Sequence, residues 1–137
     1  MLTLDDIKEY YDKGYITLRI DPYFDKEKFG TVKKGFVWGL DPEQIEEVLT
    51  KKTLTIETTK KASLFDIAKP IPIAVTRACV LDVNKDLHLA ISIERDGNNV
   101  SRSQWEKIKK QMREAGFSYR SESPWSCMFI NGRWGGY

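Results

Sequence analysis

Few side chains in this chain could make or break a bond. Its 137 residues hold one histidine and two cysteines. His88 falls on the polar side of an alternating run. Cys79 and Cys127 sit in apolar, strand-like stretches with no C-x-x-C spacing, and read as buried free thiols. A thiolate nucleophile needs a base within hydrogen-bond reach, and a structural zinc needs four nitrogen or sulfur ligands. One His with two distant Cys supplies neither pattern. Asp82-Val83-Asn84-Lys85-Asp86 opens like a calcium loop, but Leu87 stands where that loop requires Gly and Ile93 where it requires its closing Glu. A tight hairpin accounts for it better, and a hydrolase using Asp82, Asp86 or His88 is the weakest reading. Gly30, Gly35 and Gly39 match no phosphate-binding glycine spacing. The sequence therefore predicts a protein that is not an enzyme, with no catalytic residue, metal or cofactor.

What it does offer is cations interleaved with rings. Four Trp, six Tyr and six Phe are many for this length, and they are either core or a stacking surface. Net charge is only +2 but unevenly spread. Residues 1–50 carry seven Lys/Arg against eleven Asp/Glu, whereas residues 101–137 carry seven against three. On a helix predicted after Ser101, Arg102, Glu106, Lys109 and Arg113 form one stripe opposite Trp105, Ile108 and Met112. Lys110 flanks that stripe and Arg120 follows it. Trp125 and the tail Asn131-Gly132-Arg133-Trp134-Gly135-Gly136-Tyr137 add rings and a cation. Single-stranded nucleic acid is bound by this mixture, cations tracking phosphates while rings stack on unpaired bases. Stacking contributes about 1–3 kcal/mol per base, so two or three rings outweigh a small net charge. The competing interpretation makes Trp125 and Trp134 core residues and the basic stripe a solvated face.

These residues need a frame. Thr3 with Asp6, Asp41 with Gln44, and Ser101 with Gln104 each have capping-box spacing, so three helices are expected at their C-terminal sides. Ile16, Leu18 and Ile20 alternate with Tyr15, Thr17 and Arg19 as a half-buried strand that Asp21-Pro22 would stop. Further strands are read at Val32–Leu40, Thr53–Thr59, Ile73–Val83, Leu87–Glu94, Phe117–Tyr119 and Trp125–Ile130. Residues 60–72 read as irregular because of Pro70 and Pro72, and Asn131-Gly132 as a hairpin turn. Most linkers are too short for parallel crossovers. The expected fold is a single α+β domain over 1–137, with about seven short strands in an antiparallel sheet and three helices. The stretch Leu40–Val48 aligns with Val100–Ile108, which suggests pseudo-repeated strand–helix units at 15–59 and 73–134.

Part of the first unit resembles a known family. Thr17-Leu18-Arg19-Ile20, the acidic loop Asp21–Lys28, Lys33-Lys34-Gly35-Phe36-Val37-Trp38 and Asp41-Pro42-Glu43-Gln44 are similar to the small transcriptional-coactivator-type single-stranded-DNA-binding domain. That family's hallmark is an "I-x-I-R" strand, an acidic loop, a basic "K-x-G-I-x-L" strand and a capped "x-P-E-Q" helix. Ala90–Gly97 through Trp105 is a shorter echo. Trp38 and Gly39 depart from the strand pattern, and the chain is twice the usual length. The resemblance implies a dimer cradling an unpaired strand on curved sheets, and it adds Arg19, Lys33, Lys34 and Trp38 as contacts.

The leading expectation is thus a binding protein for single-stranded nucleic acid, either homodimeric or mimicking a dimer with its two units. The alternative is a small phage-type inhibitor or anti-defence protein that occupies a host protein or sequesters a small anionic nucleotide. Asp5, Asp6, Glu9, Asp12, Glu43, Glu46 and Glu47 would then mimic nucleic acid. The first residues show no leader pattern and no apolar run reaches membrane-spanning length, so a cytoplasmic protein with no membrane partner is expected.

Overall fold

A computed structural model describes residues 2–32, 35–36, 38–66, 69–122 and 127–135, with side chains described outside 61–72 and up to residue 117. The chain is α+β and its strand pairings are antiparallel, divided between two sheets rather than gathered into one. All three capping boxes form. Thr3 opens α1 (Leu4–Asp12), Asp41 opens α3 (Pro42–Lys51) and Ser101 opens α4 (Arg102–Glu114). A fourth helix, α2 (Lys26–Phe29), is one turn capped by Asp25 and was not expected.

The first sheet runs in the order β1 (Ile16–Tyr23), β5 (His88–Arg95), β7 (Cys127–Gly135), β6 (Ser118–Glu122). Alternation assigns its faces. Ile16 and Ile20 join Leu89, Ile91 and Ile93 in the core, while Thr17, Arg19 and Tyr23 lie on the outer face. Pro22 does not end β1, because Leu40 N–H donates to Ile20 O at 2.8 Å from the strand's free edge. Even-numbered residues of β1 turn their backbone groups toward that edge, so the missing N–H of Pro22 breaks no bond to β5. Asn131-Gly132 is not a hairpin turn. It lies within β7, where Asn131 pairs with Ile91 and the next two residues, Gly132 and Arg133, stand opposite the single Ala90 of β5 as a bulge.

The second sheet, β2 (Thr31–Val32), β3 (Thr53–Asp66) and β4 (Lys69–Asp82), corrects the irregular reading of 60–72. Its pairing continues unbroken from Thr53↔Asp82 to Asp66↔Lys69, an arm whose base enters the core through Leu54, Ile56 and Leu81. Apolar faces of α1, α3 and α4 (Ile7, Val48, Leu49, Trp105, Ile108, Met112) close one continuous core against both sheets. The two helix-bearing units connect differently: α3 leads into the second sheet, whereas α4 returns to the first.

Glu47 fastens α3 to the arm. Its carboxylate accepts from Thr55 N–H at 3.0 Å and from the hydroxyls of Thr53 and Thr55 at 2.8 and 2.9 Å. Burial pushes its pKa up, but those three donors and Lys51 outweigh it and hold it below the ordinary glutamate value. A lowered folded pKa means the charged form is the stabilising one. This contribution is complete above about pH 4.5 and is lost as pH falls through the lowered value. Glu47→Ala is expected to cost about 2 kcal/mol at neutral pH, read by urea unfolding. The difference from the parent should shrink in acid.

Candidate functional site

The site forms where the chain crosses from the first sheet to the second. Gly39 and Leu40 run along the free edge of β1, and a Cβ built at Gly39 would meet Ile20 O at 2.7 Å and Arg19 Cγ at 3.2 Å. This close approach sets Gly39, the residue after Trp38, against Arg19, although twenty positions separate the two in sequence. The indole of Trp38 is 81% exposed, the largest exposure among the described large apolar side chains. It lines an open depression of about 650 Å³ together with Val32, Phe36 and Ile56 and the polar residues Asp41, Gln44 and Glu57. A second hollow of about 260 Å³ shares Val32, Gly35 and Phe36 and continues to Asp21, Tyr23, Phe24 and Lys26. The two hollows adjoin at these shared residues and are together termed the trough, with the half-exposed Tyr23 lining one and Trp38 the other.

The electrostatics are mixed. Arg19 is half exposed and donates to Asp21 through Nε at 3.1 Å and Nη2 at 3.3 Å. Lys26 lines the smaller hollow. Lys33 and Lys34 fall in sequence between the trough residues Val32 and Gly35, and themselves lie outside the described residues. Tyr23 meets His88 edge-on at 6.5 Å on the outer face of the sheet.

The remaining expected residues are not gathered there. Arg102, Lys110 and Arg113 are exposed on α4, which packs on the inner face of the first sheet, whereas Arg19 lies on the outer face. Lys109 is only 8% exposed, with Nζ 3.3 Å from Glu106, which corrects its place in a solvated stripe. Arg120, Arg133 and Trp134 have backbone in β6 and β7 but no described side chain, and β7 sets Trp134 opposite Leu89. Trp125 and Tyr137 lie outside the described residues. Sequence reasoning missed Tyr23, Lys26 and Phe36. Tyr23 was detectable, because the period of two that places Arg19 outside reaches it when carried through Pro22.

Most acidic side chains of α1 and α3 have local partners. Asp5 pairs with Lys52 at 2.7 Å, Glu9 with Lys13 at 2.7 Å, and Lys8 with Asp12 and Glu46. Asp6 and Glu47 are held by backbone amides. Asp82 accepts from the amides of Asn84 and Lys85, while Asp86 accepts from that of Asp82, so both carboxylates serve the turn. Cys79 is a free, half-buried thiol 3.3 Å from the Thr58 hydroxyl, less buried than expected. Among the described residues, no three His, Cys, Asp or Glu side chains converge as metal ligands, and no helix is long and apolar enough to cross a membrane.

No protein family, curated protein or solved structure matches this chain. The functional reading therefore rests on what the trough can do chemically. Exposed rings and cations along it offer π-faces to flat ligands and positive charge to anions.

Proposed function

We propose that the chain binds single-stranded nucleic acid along the trough between Tyr23 and Trp38. The observation that carries this reading is the Trp38 side chain, 81% exposed at the rim of a hollow that Phe36 also lines, one residue from Gly39, whose backbone approaches Arg19. An exposed indole is unfavourable in water unless it meets a partner, and an unpaired base supplies a matching flat face. Bases stack on Trp38 and Tyr23, with Phe36 beneath them. Arg19, Lys26, Lys33 and Lys34 meet the phosphates. The cations of α4 lie across the sheet from this path and are not part of it.

Fluorescence anisotropy of a labelled oligo-dT at two salt concentrations tests the proposal. The expected result is micromolar binding that weakens with salt, with duplex DNA bound less well. Asp21→Asn sharpens the test, because it releases Arg19 from its ion pair. It should tighten binding two- to threefold, by roughly 0.5 kcal/mol, and steepen the log–log salt slope by about 0.7, one added phosphate contact on a single strand. Absence of oligonucleotide binding would overturn the proposal and direct attention to a host protein or a small nucleotide as occupant.

A further inference from the structure

Alternate residues of a strand turn their backbone N–H and C=O groups to opposite edges. Two bonds fix the sense in β4. Val83 N–H donates to Lys52 O at 3.0 Å, toward β3, whereas Asp82 N–H donates to its own turn, at Asp86 Oδ2 2.8 Å away. The register is unbroken along the arm, so Val80, Ala78, Thr76 and Ala74 share the outward sense of Asp82. Pro72 and Pro70 share it too, and they have no N–H to offer. The corresponding side of β3 is occupied, at Thr55 by Glu47 and at Thr58–Thr59 by β2. β4 is an edge of its sheet, and among the described residues nothing covers it. Residues 73–78 and 80 are exposed, alternating between both faces, with Val80 at 65%. A row of open amides therefore runs from Ala74 to Val80, bounded by Pro72 at one end and the capped Asp82 at the other.

We propose that this edge pairs antiparallel with the same edge of a second copy, with Thr76 on the two-fold axis, joining the two three-stranded sheets into one. Self-pairing follows from what each residue would face. With Thr76 on the axis, Ala74 meets Ala78, Ile73 meets Cys79, Val80 meets Pro72, and Val75 meets the aliphatic stem of Arg77. Cys79 already packs on the core beside Ile56, so Ile73 of the second copy extends that apolar face outward. On the opposite face Ala78, beside Glu57, meets Ala74 of the second copy. Moving the axis one residue, to Arg77, would set that guanidinium directly opposite itself, a destabilising pair. An unrelated peptide could use the same amides, but it would not require this match of side chains.

Sedimentation of the full chain without nucleic acid is expected to show a dimer. Thr76→Pro removes the outward N–H at the axis in both copies, and with it both bonds of the central pair. It should weaken association roughly tenfold, with the far-UV circular dichroism unchanged, as Pro70 and Pro72 are already accommodated at equivalent positions. Thr76→Ala should stay dimeric. A parent chain that is monomeric at all concentrations, or a folded Thr76→Pro dimer as tight as the parent, overturns the proposal. Should Thr76→Pro fail to fold, cross-linking decides, in a background carrying Cys79→Ser and Cys127→Ser. Paired residues at the axis have Cα atoms about 5.5 Å apart, within disulfide range, so Thr76→Cys should oxidise to a covalent dimer and Arg77→Cys should not. Cross-linking through Arg77→Cys alone, or through neither, rejects this pairing.

Discussion

Gly39→Ala is expected to lower the thermal midpoint by about 10 °C and to remove oligonucleotide binding with it, a loss of about 3 kcal/mol. Two costs combine. Gly39 has φ +76°, where an L side chain is strained by roughly 1–2 kcal/mol. Its added Cβ would also stand 2.7 Å from Ile20 O, a backbone atom that cannot swing aside. Relieving the overlap means drawing residues 38–40 off β1, which breaks the Leu40 N–H bond to the same oxygen. The segment that draws off is the one that presents Trp38, so fold and site fail together. Two controls separate the contributions. Gly116 has φ +90° with nothing within 4 Å, so Gly116→Ala carries the strain alone and should cost about half as much. Gly35, in the trough with open space around its Cβ position, should accept alanine with little change in stability. If Gly39→Ala costs no more than Gly116→Ala, the close approach to β1 is not rigid.

The same junction shows where the amino-acid sequence speaks and where it does not. Local rules were legible: three capping boxes, the inward stripe Trp105–Ile108–Met112, and the buried face of β1 and β5 all follow from spacing within a few residues. Lys109 was legible too. Positions 105, 108, 109 and 112 follow the i, i+3, i+4, i+7 rule, so the stripe that buries Trp105 also takes in Lys109, and its charge alone suggested otherwise. The arm was hidden for a different reason. Pro70 and Pro72 end a strand only when their backbone faces a neighbour, and whether β4 has one on that side is a property of the sheet, not of the residues around them. Pro22 misled in the same way. Asn131-Gly132 satisfies a turn and a bulge equally well, and pairing with β5 selects the bulge. Of the trough, only Arg19 and Trp38, with Lys33 and Lys34, were visible in the sequence, as separate members of a motif. The approach of Gly39 to Arg19 depends on residues 38–40 meeting β1, a contact that no local pattern announces.

Trp38→Ala is expected to weaken oligo-dT binding about thirtyfold while leaving the thermal midpoint within about 2 °C of the parent. The two halves follow from one number. A ring that is 81% exposed buries little area on folding, so deleting it costs the fold almost nothing. The same exposure leaves nearly the whole face for a base, and one lost stack of about 2 kcal/mol corresponds to a factor near thirty. Trp38→Tyr should retain most of the affinity, since a smaller π-face still stacks, whereas Trp38→Leu should not. That ordering separates stacking from simple hydrophobic contact, for which leucine would serve as well as tyrosine. Removing exposed charge from α4 with Lys110→Ala and Arg113→Ala should change binding of a short oligomer less than twofold, because those residues lie across the sheet from Arg19. A large loss on α4 together with a neutral Trp38→Ala would move the binding surface to the inner-face helix and reject the trough.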